Sequence, residues 1–173
     1  GSTGDIVIYD EAGALELAYV YPTMRRGGRM VYALDVTDPD AAPSLLWRQG
    51  CPNLDNDTGC TADFANIGQT WSTPIGGYAG GYLDDSDEPK LVAVFGGGFD
   101  DCLNEDVAAY PSGCSSAKGK GVYIVDAVTG ARLKYLATDA PVTSELFPID
   151  VDFDGTMDFA YAADVAGNLY RVN

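Results

Sequence analysis

The chain has 173 residues, a formal net charge of −16, no histidine and 46% hydrophobic residues. That is enough apolar material for a packed core. The charge argues against nucleic acid or an anionic membrane as partner, since Lys and Arg are needed to displace counterions from phosphates, and no run of ~18 apolar residues is present to span a bilayer.

Gly1-Ser2-Thr3-Gly4 shows neither an initiator Met nor the charged-then-apolar pattern of a signal peptide, so the sequence is expected to be cut from something longer. Beyond it, short apolar runs and period-two alternation dominate. Nowhere do apolar residues recur at i, i+3, i+4 and i+7, which predicts an all-β protein with no helix. In chain order the expected strands are 6–9, 15–21, 29–36, 45–48, 73–77, 90–95, 121–126, 132–136, 146–150, 159–162 and 169–172. Gly, Pro, Asn and Asp punctuate them. Arg25, Arg26 and Arg29 form the one basic cluster, expected to make surface salt bridges with the acidic remainder. Gly96-Gly97-Gly98 opens no helix and has no following Lys-Ser/Thr, so it reads as a sharply bent strand end and not as a phosphate cradle.

Four cysteines fall in two polar, turn-rich segments, read as loop inserts at 51–68 and 100–118. The absence of CxxC and of histidine argues against zinc. An even count in such segments predicts disulfides formed in an oxidising compartment. Three connectivities are possible, and local pairing of Cys51 with Cys60 and of Cys102 with Cys114 is expected.

The strands repeat. Met30 to Asp35, Gly121 to Asp126 and Asn168 to Asn173 superpose on Tyr32, Tyr123 and Tyr170, and the first two continue through a turn into a further strand. Each reads as the outer half of a propeller blade. Matching inner halves precede the second and third copies, at 72–95 and 146–161, giving about three blades. Aligning the inner halves lays Lys90 on Asp158, so Leu83 to Pro89 takes the place of an acidic loop in the next blade. That copy is expected to be metal-free, with Lys90 satisfying Asp84.

The acidic loop is Asp150-Val151-Asp152-Phe153-Asp154-Gly155-Thr156-Met157-Asp158, or DxDxDGxxD. Hard cations take oxygen ligands, and this spacing wraps one Ca²⁺ with the carboxylates of Asp150, Asp152, Asp154 and Asp158 and the backbone carbonyl of Thr156. Gly155, at the sixth position, supplies the sharp turn. An apolar run with strand character follows, so the loop is EF-hand-like in a β context.

In this order, Gly27 to Pro39, Thr70 to Pro74, Val92 to Gly98, Tyr123 to Asp126 with Thr129-Gly130, and the acidic loop running into Tyr161 to Asp164 and Gly167 to Arg171 resemble PilY-type proteins, type IV pilus tip-associated adhesins and assembly factors. The resemblance covers nearly the whole chain, 1–173, as part of a C-terminal β-propeller. It implies a non-enzymatic, calcium-binding domain that supports pilus assembly, surface adhesion and twitching motility. It also implies minor pilins or the pilus tip complex, and a host or surface ligand, as partners, and a place at the bacterial surface reached through periplasm and outer membrane. The family's ligands carry over onto Asp150, Asp152, Asp154, Thr156 and Asp158; Ala163 and Tyr170 depart from its Gly and Trp at structural positions. A whole propeller takes roughly twice this length, so the remaining blades are expected from outside the chain.

Two alternatives belong to other classes. Val125 to Gly130 followed by Leu133 to Tyr135 resembles the quinoprotein dehydrogenase repeat, an enzyme class that uses pyrroloquinoline quinone in the periplasm. No vicinal cysteines and no histidine base accompany it. Tyr78, Tyr82 and Tyr110 suit a carbohydrate-binding propeller.

Overall fold

Twelve strands form in the computed structural model, which describes residues 1–104 and 118–173. β1 (Ser2–Tyr9), β2 (Leu15–Thr23), β3 (Arg29–Asp35) and β4 (Ser44–Cys51) make an antiparallel sheet in chain order. β5 (Ile75–Leu83), β6 (Pro89–Gly96), β7 (Gly121–Asp126) and β8 (Arg132–Ala137) repeat that meander. In the third sheet, β9 (Phe147–Ile149) and β12 (Leu169–Val172) flank β11 (Phe159–Ala163). The two-residue β10 (Thr156–Met157) departs from this plan by pairing in parallel with β5 of the second sheet. The sheets are blades of a partial propeller and do not close on one another.

The first blade has an inner hairpin of its own, β1–β2, so it is a whole four-stranded unit and not only the outer half that the tyrosine repeat marks. β5 begins two residues later than expected and runs to Leu83, because its glycines pair with the apolar face of β6 as far as Ala79 and then bulge. Two short 3-10 turns, Arg25–Gly27 and Asp101–Asn104, are the helical content of the described residues.

One turn recurs between antiparallel strands. Asp10, Asp84 and Asp164 each donate their amide to the carbonyl four residues on (2.9, 2.9 and 3.0 Å), while their Oδ1 accepts the amides two and four residues on. Carboxylates used this way compete with no ladder bond and fix the hairpin register. The fourth position lies at positive φ in all three turns, occupied by Gly13, Asp87 and Gly167. Asp84 is thus satisfied by its own turn. Lys90 does not reach it: its Nζ lies 3.3 Å from Asp126 Oδ2, because the β6–β7 register sets Lys90 beside the end of β7.

Two apolar clusters separate the blades. Between the first and second lie Tyr21, Val31, Ala33, Trp47, Phe64, Ile67, Phe95, Tyr123 and Ala127. Trp47 Nε1–H donates to Ala127 O at 2.9 Å, and Tyr21 O–H to the same carbonyl at 3.2 Å. Between the second and third lie Val92, Val94, Val122, Ile124, Val142, Leu146, Ala160, Ala162 and Val172. β6 and β7 are therefore covered on both faces, which explains their near-continuous apolarity. β11 alternates instead, with Ala160 and Ala162 buried and Tyr161 and Ala163 exposed, so continuous burial fails for the third blade.

The first cysteine segment runs beyond Cys51 as a loop without strands and sends Cys51, Phe64 and Ile67 into this core. Cys51 and Cys60 are disulfide-bonded across nine residues, a closure that stabilises by roughly 2–3 kcal/mol on the chain-entropy model. Phe64 stacks on Tyr123 with centroids 5.0 Å apart, and Ile67 is fully buried. Arg29, expected on the surface, is buried with all five N–H groups engaged. Nε donates to Ile67 O, Nη1 to Asn53 O and Asn56 O, and Nη2 to Asp57 Oδ1 and Ala65 O, at 2.8–3.2 Å. Cys114, and with it the expected Cys102–Cys114 bridge, lies outside the described residues, as does Tyr110.

Four aspartates hold their carboxyls below the usual range. Hydrogen bonds from the Thr37 side chain and amide act on Asp35, and those from Lys118 and Arg29 on Asp57. For Asp126 and Asp164, burial pushes upward but is outweighed, by Thr129, Val128 and Lys90 in one case and by Asn168, Tyr170 and Ala166 in the other. A depressed folded pKa contributes stability that is complete above the unfolded value, 3.8, and is lost as pH falls through the folded one. The urea midpoint is therefore expected to be flat above about pH 5 and to drop steeply below about pH 4. An unchanged midpoint at about pH 3 contradicts this account.

Candidate metal centre

The acidic loop connects β9 to β11, the same connection that Asp84 turns in the second blade and Asp10 in the first. It is longer than those turns, and its backbone is folded inward by its own carboxylates. Asp150 Oδ1 accepts from Phe153 N at 2.7 Å and Asp150 Oδ2 from Gly155 N at 2.9 Å. Asp158 Oδ2 accepts from Val151 N at 2.8 Å, and Asp154 Oδ1 from Thr156 N at 2.7 Å. Asp158 N closes the loop onto Ile149 O at 2.9 Å. Two positive-φ residues make the wrap possible, Phe153 at 61° and Gly155 at 86°. Gly155 needs no side-chain room but does need that backbone, which L-residues rarely adopt.

The fold brings carboxylate oxygens of Asp150, Asp152 and Asp158 within 4.8 Å of one another. Asp154 stands outside that group, its Oδ1 engaged by Thr156 N. Three unit charges at such spacing repel unless a counter-charge enters. None of the four ion pairs among the described residues involves the loop. Oxygens on opposite sides of a hard cation with ligands at about 2.3–2.6 Å lie about 5 Å apart, so one ion reaches all three. The donor set, all carboxyl oxygen, suits such a cation and suits soft metals poorly.

A second acidic and cysteine group, Cys51, Asp57 and Cys60, offers no such site. Its sulfurs are bonded to each other, and Asp57 is held at 2.9 Å by Arg29 and at 2.8 Å by Lys118.

Thr156, expected only as a carbonyl ligand, also lies in β10, paired with Tyr78, while Met157 pairs with Ala79. Met157 packs against the cluster between the second and third blades. Nothing in the sequence singles out Met157 for this, since Val151 and Phe153 are apolar residues of the same loop and both are exposed. Tyr78 is 41% exposed beside this pairing, whereas Tyr82 is half-buried with its hydroxyl pKa raised by burial. Tyr170 donates to Asp164 Oδ2 at 2.8 Å and so serves its turn.

A family model described as the PilY1 beta-propeller domain matches residues 3–173. The chain belongs to the PilY1 beta-propeller domain family. A type IV pilus biogenesis factor PilY1 homolog of Xylella fastidiosa is 26% identical over 164 residues, covering 85% of this chain and 9% of its own length. PilY1 of Pseudomonas aeruginosa PAO1 is 30% identical over 154 residues, covering 86% of this chain and 10% of its own. The crystal structure of the P. aeruginosa PilY1 C-terminal domain superposes with a TM-score of 0.66 at 27% identity, covering 99% of this chain and 29% of that one. The chain thus spans about a tenth of the length of these curated PilY1 relatives.

Proposed function

We propose that this chain is the calcium-binding propeller portion of a type IV pilus biogenesis protein, and that Asp150, Asp152, Asp154, the Thr156 carbonyl and Asp158 hold one Ca²⁺. The convergence of three carboxylates in a loop whose own amides orient them carries the reading. Calcium supplies the missing counter-charge, and a flexible oxygen cage tolerates its long bonds better than the octahedron magnesium demands. Asp154 turns one oxygen toward the ion while the other keeps Thr156 N.

The pilus role rests on family membership and on the relatives named as pilus biogenesis factors. In this role the propeller acts without catalysis, at the cell surface or pilus tip after passage through periplasm and outer membrane, against minor pilins or the tip complex. Adhesion to a host or other surface and twitching motility belong to the same proposal. The Cys51–Cys60 disulfide accords with an oxidising compartment. The carboxylates all come from the one connection between β9 and β11, which favours a structural ion over a quinone-bound catalytic one.

Titrating CaCl₂ is expected to give one site per chain and to stabilise it by about 2.7 kcal/mol at a hundredfold excess over Kd. Asp158→Ala removes both a ligand and the acceptor of Val151 N, and is expected to abolish the heat of binding. Unchanged calorimetry in that variant ends the metal assignment. In cells, the same substitution in the full-length protein is expected to remove calcium-dependent changes in surface pili and twitching. Calcium-tuned motility that persists, or quinone-dependent alcohol oxidation by the purified chain, refutes the role.

A further inference from the structure

The parallel pairing of β10 with β5 joins the loop of the third blade to the inner strand of the second, and the hydrogen-bond pattern shows what it does for the loop. In extended backbone, the N–H and C=O of one residue point to one side of the strand and those of the next residue to the other. Thr156 N–H is spent on Asp154 Oδ1, inside the loop, so Thr156 C=O faces the loop as well. Asp158 N–H is spent on Ile149 O. Of residues 156–158 the groups left to face β5 are therefore those of Met157, whose register opposite Ala79 sets its N–H toward Tyr78 O and its C=O toward Gly80 N, while the pairing of Thr156 with Tyr78 sets Gly155 C=O toward Tyr78 N.

We infer that the β5 edge at Tyr78–Gly80 is a positioning element of the metal site: by holding Met157 it aims the Thr156 carbonyl at the ion, so that calcium binding and the pairing of the second and third blades strengthen each other. The inference rests on the calcium reading proposed above. Two further observations carry it. β5 leaves its regular register with β6 after Ala79, which frees Gly80 from that ladder. A Cβ on Gly77 would lie 3.6 Å from Met157 Cε and one on Gly80 3.3 Å from Thr156 Cγ2, whereas one on Gly81 meets nothing within 4 Å, so the approach of β10 to β5 ends at Gly80. Linkage makes the effect reciprocal: whatever calcium gains from the pairing, the pairing gains from calcium.

The test uses this chain with CaCl₂, by calorimetry and by amide hydrogen exchange. In the unsubstituted chain, saturating calcium is expected to slow exchange at Met157 and Gly80 at least tenfold. Gly80→Pro deletes the N–H that meets Met157 C=O and is expected to weaken calcium binding about tenfold, whereas Gly81→Pro, in the same bulge, stays within twofold. Exchange at Met157 and Gly80 that ignores calcium, in a chain that binds it, overturns the linkage and leaves the metal site standing. No heat of calcium binding in the unsubstituted chain overturns both. The exchange experiment needs no variant, so a Gly80→Pro chain that fails to fold does not remove the test.

Discussion

Arg29→Ala is expected to cost about 3–5 kcal/mol of folding stability, the range for removing one partner from a buried charged network. The guanidinium is buried and meets four backbone carbonyls and Asp57 from a single point. Its removal leaves Ile67 O, Asn53 O and Asn56 O without that donor, whereas Ala65 O keeps Lys118 Nζ at 3.0 Å, and each buried orphaned group adds desolvation cost. Asp57 retains Lys118, so the loss falls on the backbone of the disulfide loop more than on the ion pair. Arg29→Lys offers one compact ammonium with three donors in place of a five-donor fork and recovers only part of the stability. Urea unfolding decides it; a loss below about 1 kcal/mol in the alanine variant contradicts the structural role.

Trp47→Ala is expected to cost about 3–5 kcal/mol, by cavity formation between the first two blades. The indole is buried, lies 5.8 Å from the Tyr21 ring and caps the β7–β8 turn, where Gly130 sits at φ 71°. A Cβ at Gly130 would fall 2.6 Å from Trp47 Cδ2, so the turn and the indole fit only while position 130 is glycine. Trp47→Phe refills part of the volume but loses the bond to Ala127 O, for a smaller cost of about 1–2 kcal/mol. Ala127 O keeps Tyr21 in either variant. Near-identical unfolding midpoints for the Ala and Phe variants rule out packing as the larger share.

Much of the architecture was legible because it is written in periods. Tyrosine spacing, alternation and turn residues located eleven of the twelve strands, ten of them to within four residues at either end and β5 cut six residues short, and the carboxylate spacing marked the loop. What escaped was tertiary. Arg29 reads as surface because a buried arginine leaves no local trace; its acceptors are carbonyls 24 to 38 residues away. Lys90 aligns with a metal ligand in the repeat, yet the neighbouring strand's register hands it to Asp126. β10 is two residues long and pairs in parallel, too short to show a period.

That short pairing also bears on the order in which the chain assembles. Apart from β6–β7, whose connection runs over residues 97–120, the antiparallel contacts join strands that follow closely in sequence, so those hairpins close small loops at low entropic cost and form on fast timescales. The β10–β5 contact requires both the second blade's meander and the β9–β11 connection to exist beforehand. It is a non-local contact of the kind that slows folding and is expected to form late, and it sits at the loop that gathers three carboxylates. Blade-by-blade folding can therefore run to near completion with one joint still loose, and on the calcium reading proposed above the supply of that ion sets when the joint closes.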